Sequence, residues 1–184
     1  MSSSRQSILD RVYLVYFIIH IPILFCVDLV PFYPRTLWEP PNSPLHILGQ
    51  LRTYYLTTYN DQFFLPPPAE IPSFFPLYAV LELLFHLPVS IWAVRVFLNR
   101  GGKGIPGSAE LLLLVYGVET ALTTLTCMYE AALWDGDVVS FEQKVVLIGG
   151  LYGGYFALAV VLTVDMYMRV LRRLNAADAV KKVQ

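Results

Sequence analysis

The chain has 184 residues, of which 56% are hydrophobic and 15% charged, against about 45–50% and about 25% in soluble domains. That balance excludes an ordinary water-solvated domain and points to lipid as the solvent. A formal net charge of −1 gives no electrostatic footprint for nucleic acid, and the two cysteines, Cys26 and Cys127, have no metal-type spacing and read as buried thiols in apolar runs.

Crossing a hydrocarbon core takes about 20 apolar residues in a helix. Four segments qualify, at about residues 11–32, 74–98, 108–133 and 144–170. The expected fold is therefore all-α: one domain, 1–184, a four-transmembrane-helix bundle with a lumenal loop between helices 1 and 2 and a tail over 174–184.

The first segment, with Ser7 as a candidate cap, is longer than a signal-peptide core and runs into Val30-Pro31-Phe32-Tyr33-Pro34, so it reads as a retained span. The 33–73 connection is too long for a plain loop and rich in proline. Apolar residues at helical spacing over Leu45–Tyr59 predict a short helix there, pressed on the bundle mouth. After the second segment, the Asn99–Gly107 stretch reads as a turn, with Ser108 opening the third helix. Ser140-Phe-Glu-Gln143 reads as a capping box before the fourth.

Ten of the thirteen basic residues fall at the two termini and the 99–107 turn: Arg5, Arg11, Arg95, Arg100, Lys103, Arg169, Arg172, Arg173, Lys181 and Lys182. The positive-inside rule then puts both termini in the cytosol. Lys181 and Lys182, at −4 and −3 of that tail, resemble the dilysine retrieval signal of endoplasmic-reticulum membrane proteins.

Ionisable residues inside spans are costly and face the protein interior. Asp28 and Glu82 both lie roughly 8–12 Å below the same surface, at 1.5 Å rise per residue. Two buried carboxylates at one depth on adjacent helices are expected to share a proton and to seat a cationic or hydroxylated apolar ligand. His20 and His86 lie deeper. Pro22 and Pro88 follow them by two residues, and a proline frees a carbonyl and bends its helix. Glu119, Thr123, Thr126 and Glu130 form a polar stripe on the third helix. Tyr152 and Tyr155 sit among Gly149, Gly150, Gly153 and Gly154 on the fourth, glycines that allow close helix approach. No third ligand joins the histidines, so neither a metal nor another cofactor is expected.

The strings His20-Ile-Pro-Ile-Leu-Phe-Cys-Val-Asp28, Glu82-Leu-Leu-Phe-His86-Leu-Pro88 and Tyr152-Gly-Gly-Tyr155, with Asp61 between the first two spans, resemble the sigma-2 receptor branch of the EXPERA-domain family. That family also holds emopamil-binding sterol isomerases and a fungal branch called efficient mitochondria targeting-associated protein. The resemblance implies a homodimer in the endoplasmic reticulum that binds sterols and cationic amphiphiles in an intramembrane pocket. It implies that Asp28 pairs with the ligand's amine, that Glu82 hydrogen-bonds to Asp28, that Tyr152 and Tyr155 line the pocket, and that Asp61 supports the site. His86 stands where the animal receptor has glutamine, and Glu119-Thr120 resembles the isomerase branch. A binder in sterol homeostasis or trafficking is the leading expectation. An isomerase using Glu82, His86 and Glu119 is one alternative. A factor assisting targeting of hydrophobic or mitochondrial precursors is another.

Overall fold

The computed structural model describes residues 3–65, 70–99 and 104–181, with side chains from residue 8 onward. Arg100, Lys103 and Lys182 lie outside the described residues, as does the side chain of Arg5. Helices dominate: α1 (Ser3–Ile23), α2 (His46–Tyr59), α3 (Phe75–Leu81), α4 (Leu87–Leu98), α5 (Gly107–Leu133), α6 (Phe141–Lys144) and α7 (Gly153–Lys181), with no strand among the described residues. Four continuous helical stretches are long and apolar enough to cross a membrane: Ile8–Asp28, Phe75–Leu98, Gly107–Leu133 and Phe141–Lys181. Large apolar side chains point outward along all of them, including Ile19, Leu84, Leu122 and Val164, as expected where lipid rather than water is the solvent.

Local chemistry explains most boundaries. α2 ends at Asn60, whose φ of 54° is left-handed, a conformation asparagine tolerates at a helix end. Ser140 and Gln143 close the anticipated capping box: the Gln143 N–H donates to Ser140 Oγ at 3.2 Å, and the Ser140 N–H to Gln143 Oε1 at 3.0 Å. Other boundaries differ from the sequence reading. Ser7 lies inside α1, which already runs at Ser3. Pro106, not Ser108, occupies the cap position of α5, where its fixed φ suits a helix start. The first span closes at Asp28 rather than near residue 32, and α7 continues through the expected tail to Lys181.

The bundle is built from two pairs, the first span along α4 and α5 along α7. Tyr13, Phe17, Phe97, Leu113, Leu162 and Met166 fill the core between them. Close approach of α5 and α7 depends on Gly117, where an added Cβ would stand 2.5 Å from Thr163 Oγ1 and 3.2 Å from the Ala159 carbonyl oxygen. The glycines expected to do this do not. Gly149, Gly150 and Gly154 look onto open space, and a Cβ on Gly153 would meet only the Ile148 carbonyl of its own chain.

Away from α2, charged groups join the spans. Arg169 is buried and donates to Asp10 at 2.7 Å and Asp165 at 2.6 Å, while the Tyr13 hydroxyl donates to Asp165 at 3.2 Å. Arg173 donates to both oxygens of the buried Glu110, at 2.5 and 3.0 Å. Two of the arginines in the positive-inside count are therefore paired with carboxylates within the fold.

Candidate functional site

Three spans depart from α-helical winding, and each departure carries side chains of one cavity. Pro22 has no N–H to return to the turn before it, and the first span widens into a π turn over Leu24–Asp28, closed by Leu29 N–H to Leu24 O at 2.9 Å. The second span does the same ahead of Pro88, over Glu82–His86. In the fourth span the π segment is Val145–Tyr152. A π turn inserts an extra residue and re-aims the side chains around it, which is why such turns concentrate at functional sites. Pro22 and Pro88 themselves face outward.

The cavity has a volume of about 320 Å³ and lies among the four spans and α2. Its walls include Asp28, Glu82, His20, His86, Glu119, Thr123, Tyr152 and Tyr155, all of the candidate ligand contacts. The wall on α5 continues through Thr120, Thr124 and Cys127, not through Thr126 and Glu130. The polar stripe was thus placed on the right helix but rotated. Thr126 Oγ1 donates to the Leu122 carbonyl of its own helix at 2.8 Å. α2 contributes Tyr55 and Tyr59, and the neighbouring segments Phe64, Phe75 and Tyr78. None of these five was singled out from sequence, although the helical period over Leu45–Tyr59 was the signal that placed a helix there.

Deep in the cavity, His86 Nε2 is paired with Glu119 Oε2, and Thr120 Oγ1 lies 3.5 Å from the same nitrogen. His20 stacks on Tyr16 with ring centroids 5.2 Å apart and lies 5.5 Å from Tyr155 and 6.3 Å from His86. Among the described residues, neither His20 ring nitrogen has a hydrogen-bond partner, and Glu119 Oε1 has none either.

Asp61 stands behind this surface rather than on it. It is fully buried and accepts from the Tyr152 hydroxyl at 2.6 Å, the Tyr55 hydroxyl at 2.7 Å and the Phe63 N–H at 3.1 Å. Burial pushes its carboxyl above the ordinary value, against the lowering pull of those three donors and of Arg52. The Tyr55 phenol is pushed up by burial and then by Asp61. Arg52 reaches the Phe64 carbonyl and lies 5.9 Å from the Phe64 ring centroid, fastening α2 to the loop that carries Asp61. Tyr152, on the cavity wall, therefore holds Asp61 in place behind it.

A volume of this size suits a small-molecule site, which is typically mostly apolar with a few convergent polar groups. Carboxylates beside aromatic faces suit a cation. No cluster of three or more His, Cys, Asp or Glu residues fit to hold a metal occurs among the described residues.

The fold and cavity together define a multi-pass membrane protein with a carboxylate-bearing chamber inside its helical bundle. The chain belongs to the EXPERA family, described as the expanded EBP superfamily, which it matches over residues 47–166. It is 31% identical over 171 residues to efficient mitochondria targeting-associated protein 19 of Schizosaccharomyces pombe, covering 93% of this chain and 81% of that one. It is 26% identical to the sigma intracellular receptor 2 of Xenopus tropicalis, over 86% of this chain and 88% of that one. To the human sigma intracellular receptor 2 it is 31% identical, over 66% and 60%.

Proposed function

We propose that the protein binds sterols and cationic amphiphiles in this cavity, in the endoplasmic-reticulum membrane, and acts in sterol homeostasis or trafficking. The observation that carries the reading is the meeting of Asp28 and Glu82, from two spans, on one cavity that aromatic side chains such as Tyr55, Phe75 and Tyr78 also line. An ammonium group seats against the carboxylates, and the apolar body fills the space toward the histidines. The similarity to sigma intracellular receptor 2 supports a receptor-like role. Both termini face the cytosol, Lys181 and Lys182 serve retrieval, and the working unit is a homodimer. The test is equilibrium binding of a labelled long-chain alkylamine to the purified full-length protein. Saturable binding that Asp28→Asn weakens by at least about tenfold is expected, since a charge-assisted contact is lost. Undiminished binding in the variant contradicts the reading.

The His86–Glu119 pair favours a second reading, a sterol double-bond isomerase. Such chemistry needs an acid to protonate the alkene and a base to take a neighbouring proton, and Glu82, His86 and Glu119 line one wall system. Incubation with an 8-ene sterol decides it: no product above a heat-killed control ends this alternative. The name of the fission-yeast relative supports a third role, assistance to hydrophobic or mitochondrial precursors. Crosslinking that recovers lipid but no client protein counts against that role.

A further inference from the structure

α2 carries three different faces, and the cavity accounts for one of them. At 3.6 residues per turn, Ile47, Leu51 and Tyr54 fall on a strip about 60° wide, and they are 65%, 39% and 62% exposed. About 90° to one side lie Tyr55 and Tyr59, which line the cavity. About 90° to the other side lie Gln50, Thr53 and Thr57, all exposed, on an open groove that Glu39 and His46 also border. A helix that lies in water against a bundle needs only two faces, one packed and one polar. The third, an exposed apolar strip between them, calls for a solvent of its own.

The level of α2 in the molecule supplies that solvent. α2 packs against the turn Leu24–Asp28 that ends the first span. Asn60, which closes α2, donates to the Val138 carbonyl at 2.7 Å, between the end of the third span at Leu133 and the start of the fourth at Phe141. α2 is thus level with the ends of the spans, where hydrocarbon gives way to headgroups. Tryptophan and tyrosine gather at that boundary. Here Tyr54 stands on the strip, Trp38 packs on α2 at Gly49, and Trp134 directly follows the third span. The outward faces of the spans, such as Leu77 in the first turn of the second, already commit this end of the molecule to lipid.

We propose that α2 is an interfacial helix, seated in the leaflet at its end of the bundle with Ile47, Leu51 and Tyr54 among phospholipid acyl chains and Gln50, Thr53 and Thr57 in water. The lipid outside then holds one wall of the cavity in place, through Tyr55 and Tyr59 on the adjoining face. The occupant is lipid rather than a second copy of the chain. Three partly exposed side chains fall short of the about 800 Å² per partner that a specific protein interface buries. A helix already tied to the bundle needs only a narrow apolar face to stay in the interface.

The test places the photoreactive residue p-benzoylphenylalanine, one site at a time, in the full-length protein reconstituted in phosphatidylcholine bilayers. The sites are Ile47, Leu51 and Tyr54 on the strip, Gln50 and Thr57 on the polar face, and Leu122, which points outward from the third span, as the lipid-facing standard. Only the folded fraction that co-elutes with wild type is irradiated, and adducts are identified by mass spectrometry. Three strip sites are used so that one which fails to fold leaves the other two to decide. Phospholipid adducts on the strip are expected at yields close to that of Leu122 and several-fold above those at Gln50 and Thr57. Yields on the strip no higher than at Gln50 and Thr57 overturn the proposal, and so do adducts to a second copy of the chain in place of lipid. The outcome is independent of what the cavity binds.

Discussion

Asp28, Glu82 and Asp61 are all carboxylates near the α2 side of the bundle, yet their surroundings separate them. Asp28 and Glu82 face the cavity, while Asp61 is turned into the protein and saturated by two phenols and a backbone N–H. Asp61→Ala strands those three buried donors, at about 1–3 kcal/mol for each group left unsatisfied. A loss of at least about 2 kcal/mol in thermal or denaturant unfolding in detergent is expected, with Asp61→Asn milder because one acceptor oxygen remains. A neutral result for Asp61→Ala contradicts the bridging role. At this scale a carboxylate inside an apolar run is visible without a structure, and rise per residue is what suggested that Asp28 and Glu82 could meet; both line the cavity. The blind spot was hydrogen-bond assignment. Tyr152 lies inside a π segment, and the hydroxyl's choice of Asp61 depends on a loop packed from elsewhere in the chain.

Elements were legible where their signal is local. Four long apolar runs, the loop helix and the capping box at Ser140 all emerge from composition and period. The π turns do not, because one extra residue in a turn is invisible to a window that averages over several turns. On α5, which winds as a regular α-helix, the side that faces the cavity is set by packing against the other spans, so Thr124 and Cys127 were found only in three dimensions. Glycine roles likewise needed the partner helix: Gly117 sits alone in sequence but against Thr163 and Ala159 in space. Gly117→Ala is expected to push α5 and α7 apart and cost about 1–3 kcal/mol, the range for overpacking a tight site. Gly154→Ala, with open space around it, stays within about 1 kcal/mol of wild type on helix propensity alone. Unfolding in detergent compares the pair directly, and equal effects contradict the packing assignment.

Across the whole molecule, polar groups divide between two ends, with the aromatic and aliphatic core of Tyr13, Phe17, Phe97 and Leu162 between them. One end is the chamber. The other is the Asp10–Arg169–Asp165 cluster, which ties the first span to the fourth. Pairing between residues 159 apart in the chain has no spacing signature, so the sequence placed Arg169 only in the count of basic residues near the C-terminus. Arg169→Met removes the guanidinium that joins the buried Asp10 and Asp165, and breaking a buried pair from one side costs about 3–5 kcal/mol. Chemical unfolding in detergent is expected to show that loss while Arg95→Met, at an exposed position, changes little.

Ligand occupancy of the chamber is the central claim, and photolabelling tests it most directly. A photoreactive sterol probe is crosslinked to the full-length protein in lipid, and the adducts are located by mass spectrometry with and without excess cationic amphiphile. Adducts are expected on cavity-lining residues around Val27, Tyr78 and Leu151, suppressed by the competitor. Adducts spread over the outward faces at Leu84, Leu122 and Val164, indifferent to the competitor, contradict it.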